Sequence, residues 1–268
     1  QLREIYQEQG YAFVQVQPDV RIDDERRIVD VTYRIHKGEK AYIGRIEFQG
    51  NRETRDYVMR REFLVRENEL YNGRKLRLSQ QNLLALGYFQ PSMSIDEQRR
   101  DVDNVLDVIT KAEESQTGNL QAQIGYSDQS GLTGSVSLSK GNLGGRGQTL
   151  RVTVEAAQRT VTRRISTDFI DPHIFDSEFS SDSSLAFSST QDQTELERGT
   201  IEELRGSQGF GHPIFSRLST SLTYSATNRT FEDKDYAPTQ LRSLTNALRW
   251  NSVNHPVFPT DGSNIVLA

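Results

Sequence analysis

The chain contains no cysteine among its 268 residues. That removes a disulfide framework, a thiolate zinc site and a cysteine nucleophile from consideration. It fits an oxidising compartment, where stray thiols are a liability, without fixing one. Long apolar runs are also missing. No stretch of about 18 apolar residues exists, so no transmembrane helix is expected. No apolar stretch follows a basic start either: the chain opens Gln-Leu-Arg-Glu, which reads as mid-helix and predicts a cut through a longer protein rather than a signal peptide. Net charge is −5, balanced similarly along the chain with no basic stripe, so nucleic acid is not an expected partner.

What is present changes character near residue 115. Before it, helical and strand patterns mix. After it, the chain is rich in Ser, Thr, Gly and Gln, and holds most of the 19 glycines. In the first part, Ala41–Gln49 predicts a strand that ends at Gly50-Asn51. Thr54 is the expected N-cap of a helix over Arg55–Phe63. Gly73–Leu86 predicts a second helix, with Leu76, Leu83, Leu84 and Leu86 as its apolar stripe and Gly87 as its stop. Strands are expected over Pro91–Gln98 and Val102–Ala112. The order is β-α-α-β-β. The end of a second such unit precedes it: a helix over Leu2–Gln9 stopped by Gly10, then strands Phe13–Ile22 and Arg27–Ile35 across Asp23-Asp24-Glu25. Leu86-Gly87-Tyr88-Phe89 parallels Gln9-Gly10-Tyr11-Ala12-Phe13, and Leu106-Asp107-Val108 parallels Val29-Asp30-Val31. This is a repeat of about 77 residues seen one and a half times.

From Thr117 on, apolar and polar residues alternate strand after strand. Leu120, Ala122, Ile124 and Tyr126 oppose Gln121 and Gln123. Leu132, Val136 and Leu138 oppose Thr133, Ser135 and Ser137. Leu150, Val152 and Val154 oppose Arg151, Thr153 and Glu155. A transmembrane barrel gives this signature, and so does a soluble sandwich. The turns carry more weight. Asp171-Pro172-His173-Ile174-Phe175, Gly211-His212-Pro213-Ile214-Phe215 and Asn254-His255-Pro256-Val257-Phe258-Pro259 recur at near-equal spacing. They predict short turns on one side, with longer polar loops at Asp128–Ser130, Gln158–Thr162, Thr190–Glu197 and Asn228–Thr239 on the other. Gly141–Gly147 is the expected first short turn. Eight strands are expected complete, and a ninth begun at Gly262–Ala268.

Chemistry-bearing patterns are weak. The four histidines show no ligand spacing, and three sit beside proline; no metal is expected. Carboxylate pairs such as Glu202-Glu203 and Asp23-Asp24 read as solvated or lumenal charge. Gly141–Gly147 lacks the strand-to-helix context of a phosphate cradle.

Gly38-Glu39-Lys40-Ala41-Tyr42-Ile43-Gly44-Arg45-Ile46-Glu47-Phe48-Gln49-Gly50-Asn51, Leu86-Gly87-Tyr88-Phe89 and Phe258-Pro259-Thr260-Asp261-Gly262-Ser263 resemble the BamA-type outer-membrane assembly factors and their relatives. The resemblance implies α+β polypeptide-transport-associated (POTRA) repeats followed by an antiparallel transmembrane β-barrel, here truncated to about its first half. The expected divisions are 1–37, the C-terminal part of one POTRA domain; 38–115, a complete POTRA domain; and 116–268, the first eight to nine barrel strands. The family's Val-Arg-Gly-Phe motif in a late barrel loop is missing, as are the later strands. The implied location is the outer membrane with the POTRA domains in the periplasm. The implied function is insertion of other β-barrels, without covalent chemistry or a cofactor. Implied partners are unfolded outer-membrane proteins, accessory outer-membrane lipoproteins and membrane lipids. The implied client-pairing edge is the first barrel strand: Gly118, Asn119, Leu120, Gln121, Ala122, Gln123, Ile124, Gly125 and Tyr126. Pro172, Pro213, Pro256, Pro259 and Gly262 are the expected periplasmic turn residues. A secretion translocator pore of the same superfamily is the alternative, and a soluble all-β binding or hydrolase domain the reading from a different class.

Overall fold

The computed structural model describes residues 2–23, 26–100, 104–128, 130–158, 162–192, 199–232, 237–253 and 260–268. It divides into two compact units, Gln1–Gln116 and Thr117–Ala268.

The first unit begins with helix α1 (Leu2–Glu8) and a two-stranded antiparallel hairpin, β1 (Gln15–Asp23) and β2 (Ile28–His36). Then follow β3 (Tyr42–Gln49), α2 (Asp56–Arg60), α3 (Gly73–Ala85), β4 (Ser94–Arg99) and β5 (Val105–Lys111). The β-α-α-β-β order is therefore present. The sheet order is β3-β5-β4, with β3 parallel to β5 and β4 antiparallel to it. A parallel pair needs a crossover, and the two helices supply it. The core lies between helices and sheet: Ile43, Ile46, Met59, Phe63, Leu76, Leu83, Phe89, Met93, Leu106 and Val108 are buried together.

Local chemistry explains the most specific motif. The β3–β5 ladder slips between Ile43 and Ile46. At the slip, the Arg45 N–H donates to Asp107 Oδ1 at 2.6 Å. A side chain at Gly44 would collide with that carboxylate, so the repeated aspartate and the glycine form one device. Gly50 has φ of +90°, and a Cβ there would strike the Ala112 carbonyl; only glycine fits both demands.

The ends of α2 differ from expectation. Thr54 does not cap α2; Arg55 occupies the N-cap without a side-chain bond. The Thr54 N–H is instead taken by Glu114. The α2 helix is also shorter, because Glu62 and Phe63 bond three residues back, to Met59 and Arg60, a tightening common at helix ends. For α3, Asn72 is the cap: its side chain accepts from the Lys75 N–H at 3.0 Å.

Among the described residues, the second unit is one nine-stranded antiparallel sheet. Its strands, in chain order, are β6 (Gly118–Ser127), β7 (Gly131–Leu143), β8 (Gln148–Ala157), β9 (Thr162–Asp171), β10 (Ser180–Asp192), β11 (Gly199–Phe215), β12 (Leu218–Glu232), β13 (Thr239–Asn251) and β14 (Asn264–Leu267). Each pairs with its sequence neighbours, so the sheet is a pure meander. Register keeps the faces coherent across it. Leu120, Leu138 and Val152 align on one face, as do Val154, Ile165, Phe187 and Leu204. Ser137, Thr153 and Ser166 align on the other. A one-residue slip anywhere would invert every strand beyond it.

The connections correct two expectations. Pro213 lies inside β11, paired with Ser219, with a register slip before Phe215. The turn itself falls at Ser216-Arg217. Proline has no N–H to give the ladder and is tolerated at such a slip near a strand end. Nor does length separate the two ends: β6 and β7 join through 128–130, while β9 and β10 join through the longer 172–179. Asp24 and Glu25, and the element at Asn254–Pro259 with Pro256 and Pro259, lie outside the described residues.

Candidate functional site

The nine strands leave two open edges, β6 and β14. Gly118, Asn119, Leu120, Gln121, Ala122, Gln123, Ile124, Gly125 and Tyr126 all fall in β6, which pairs along one side only, Gly118 opposite Lys140 through Ser127 opposite Gly131. Among the described residues no strand covers its other side. Every residue of β6 is exposed. Ile124 is 84% exposed because its cross-strand neighbour is Gly134, which offers no side chain to pack against.

The strand is tied at its start. Thr117 Oγ1 donates to the Gly141 carbonyl at 2.7 Å, and the Gly141 N–H donates to the Thr117 carbonyl at 3.0 Å. The following turn is tied too: Asn142, buried in the left-handed region at φ of 50°, accepts from the Gly147 N–H at 2.9 Å. Beside β6 lies a concavity of about 570 Å³ lined by Ala122, Gln123, Ile124, Gly125, Thr133, Gly134, Ser135 and Glu155. Glycines at 125 and 134 keep this part of the edge thin.

The two faces differ chemically. On the polar face, Glu203 bonds Arg229 at 2.6 Å and Arg205 at 3.0 Å, and Ser184 bonds Ser207 at 2.7 Å. On the apolar face, Gln208 donates to Ser181 at 2.8 Å and accepts from Ser183. Internal satisfaction is what a hydrocarbon-facing surface requires of its polar groups.

Of the expected turn residues, Pro172 lies in the turn before β10, and Gly262 lies just before β14 with φ of +104°. A Cβ at Gly262 would strike the backbone of Ser252. Pro213 is at the end of β11, as described. His173 and His212 lie at this same end, and no group of His, Cys, Asp and Glu side chains suited to a metal occurs among the described residues.

Sequence reasoning missed a site of a different kind in the first unit. Glu114 accepts from the backbone N–H groups of Arg52, Glu53 and Thr54, at 3.1, 2.9 and 2.6 Å. It thereby ties the end of the unit to the β3–α2 loop. The only available signal was the acidic residue just before the composition change.

Comparison with known proteins fits this geometry. The POTRA family, described as surface antigen variable number repeat, matches residues 1–38 and 41–113. The Omp85 superfamily domain matches residues 142–268. The outer membrane protein assembly factor BamA of Neorickettsia risticii is 28% identical over 260 residues, covering 96% of this chain and 34% of that protein. BamA of Nitratidesulfovibrio vulgaris is 34% identical over 150 residues, covering 54% of this chain and 18% of that protein. The chain thus spans about a third or less of these relatives. Among solved structures, BamA of Haemophilus ducreyi lacking POTRA domains 1–3 superposes with a TM-score of 0.81 at 19% identity, covering 98% of this chain and 54% of that one. That likeness establishes the fold: the open sheet corresponds to part of a barrel. The chain thus carries POTRA and Omp85 superfamily domains in the order found in the BamA homologues it resembles, with POTRA units in the periplasm leading into strands of an outer-membrane β-barrel.

Proposed function

We propose that the chain is the joining region of a factor that inserts β-barrel proteins into the outer membrane, and that β6 templates the incoming strand. In this reading residues 1–37 end one POTRA domain, 38–115 form a complete one, and 116–268 are the first eight to nine barrel strands. The POTRA domains receive unfolded outer-membrane proteins in the periplasm and contact accessory lipoproteins. Pro172 and Gly262 mark the periplasmic end, with Pro213 just inside it. The process is non-covalent strand exchange and uses no cofactor.

One observation carries the reading: β6 is a ten-residue strand, fully exposed and unpaired along one side, whereas β14, at the other edge, has four residues. Unpaired backbone in hydrocarbon costs several kcal/mol per group. An incoming strand that pairs with β6 removes that cost for itself and for the edge at each step.

The test uses the full-length protein in phospholipid vesicles, with protease-resistant folding of an added unfolded outer-membrane barrel as the readout. Alternate N–H groups of β6 point away from β7, so of two neighbouring positions, Ile124 and Gly125, one projects its donor outward. Proline at that position should slow client folding by about tenfold, the loss of roughly one hydrogen bond in a low-dielectric setting. Ile124→Ala, which keeps the backbone, should stay near the parent rate. Parent-like rates for Ile124→Pro, Gly125→Pro and Ile124→Ala alike would remove β6 as the template.

A further inference from the structure

The turn between β9 and β10 holds the Phe175 ring almost wholly in the open. Ile174 to Ser177 form a reverse turn, closed by the Ser177 N–H donating to the Ile174 carbonyl at 3.1 Å. Its two central residues, Phe175 (φ 52°, ψ 34°) and Asp176 (φ 59°), are both left-handed. Turns of this mirror-image type normally take Asn or Gly there. For a bulky L-residue the conformation is strained. The turn persists because its surroundings over-determine it. The Ile174 N–H donates to the Phe179 carbonyl at 2.7 Å, and Ser177 Oγ to the Ile174 carbonyl at 2.6 Å. The Phe179 N–H donates to Ser177 Oγ at 3.2 Å, and the His173 N–H to Asp171 Oδ1 at 3.0 Å. The result is a strained, tightly bonded turn whose Phe175 ring is 99% exposed. In water, backbone and side chain are both unfavourable.

The neighbourhood supplies a medium in which they are not. Phe179 stacks on His212 with ring centres 4.3 Å apart. Phe215, paired with Leu218 and through it aligned with Trp250, extends the apolar face to this end of the sheet. Arg146 and Arg217, in two other turns of the same end, are exposed. Asp176 and Glu178 flank the ring and are also exposed, which limits how deep the turn can sit. Thr117 pairs with Gly141 at this end, so it is the end at which the chain arrives from the POTRA units, and therefore the periplasmic one.

We infer that the 172–179 turn is a shallow phospholipid anchor: Phe175 inserts at the carbonyl level of the periplasmic leaflet, while Arg146 and Arg217 meet headgroup phosphates. Aromatic rings favour that level because it accepts an apolar body beside a wet boundary. This rests on the reading of the sheet as membrane-embedded, and goes beyond it by naming the ring and its depth.

The test places an environment-sensitive fluorophore on Phe175→Cys in the full-length protein, in phosphatidylcholine and phosphatidylglycerol vesicles. Quenching is compared between lipids carrying a doxyl group high on the acyl chain and lipids carrying it near the bilayer centre. Leu138→Cys on the apolar face and Arg66→Cys in the POTRA unit are references. The expected result is about twofold quenching of the Phe175 probe by the high doxyl and little by the central one, with Leu138 favouring the central quencher. A Phe175 probe as unquenched as Arg66, while Leu138 is quenched, overturns the anchor and leaves the barrel intact. Blue-shifted emission without doxyl quenching means a protein surface covers the ring, and also overturns it. An unquenched Leu138 probe would instead defeat the membrane reading itself. Phe175→Trp, read against the parent with the same lipids, gives an independent measurement should the labelled variant fold poorly.

Discussion

Glu114 is half-buried, and Glu97 is exposed at its edge but packed against the Tyr71 hydroxyl; their environments push the two carboxylates in opposite directions. Burial raises Glu114, but bonds from Thr54, Glu53 and Arg52 outweigh it and leave the group below its ordinary value of 4.5. Burial dominates at Glu97 and raises it, against the lowering effects of the Tyr71 hydroxyl bond and the Arg77 charge. The Tyr71 hydroxyl is itself pushed up, by burial first and then by Glu97, so it stays protonated and donates to Glu97 at 2.9 Å. The signs follow by linkage. Glu114, depressed in the fold, stabilises above the unfolded value and loses that stability as pH falls below it. Glu97, raised in the fold, destabilises at neutral pH, and that penalty is relieved as pH falls toward the unfolded value from above. Hydrogen exchange of the POTRA core amides in the full-length protein, followed against pH, should therefore separate them. Glu97→Gln should protect more at neutral pH and flatten the profile above the ordinary carboxylate value. Glu114→Gln should protect less at neutral pH, by about 1–2 kcal/mol for weakened charge-assisted bonds at a partly exposed site, and flatten the profile below it. Parallel profiles for parent and both variants would show that neither carboxylate couples to folding.

Elements were legible where one chain period sufficed to define them. The leucine stripe and Gly87 marked α3, and strict alternation marked the strands that carry Leu120–Tyr126, Leu132–Leu138 and Leu150–Val154. What required a second segment was not legible. Nothing in β3 or β5 alone states that they run parallel, because that depends on the crossover formed by the helices between them. Glu114 was invisible for the same reason: its three donors lie some sixty residues earlier in the chain. The three His-Pro elements looked equivalent as strings, but Pro172 sits in a turn while Pro213 sits in a strand, since a slip in the β11–β12 ladder absorbs the missing donor. The α3 cap offers a check at this scale. Asn72 accepts from Lys75 and, through Nδ2, donates to the Glu8 carbonyl at 3.0 Å. Asn72→Ala should cost about 1 kcal/mol for the cap alone and more with the tie to α1 lost. Asn72→Asp keeps the cap and removes only the tie, so it should fall between parent and alanine in thermal midpoint. An aspartate variant no better than alanine would mean the cap contributes nothing.

At the scale of the whole molecule, the alternation that read as a barrel produces a sheet whose faces suit lipid on one side and a polar interior on the other, yet whose two edges, β6 and β14, stay open. The faces and the edges make different demands. The apolar face is satisfied by entering a bilayer. The edges are not, because each outward N–H and C=O of β6 would then lie in hydrocarbon without a partner. Residues 1–268 expressed alone should therefore resolve the conflict by pairing edge to edge with a second copy, as open strands do. In detergent they should self-associate in a concentration-dependent, salt-insensitive manner, since the contact is backbone hydrogen bonding rather than charge. Proline at the outward-pointing position of Ile124 or Gly125 should weaken that association, while the full-length protein, with its later strands available to close the sheet, should be monomeric under the same conditions. Sedimentation across a range of protein concentrations decides it. A monomeric, protease-resistant 1–268 segment in vesicles would show that an edge of this length can be tolerated in lipid, and would remove the driving force assigned to β6 in client insertion.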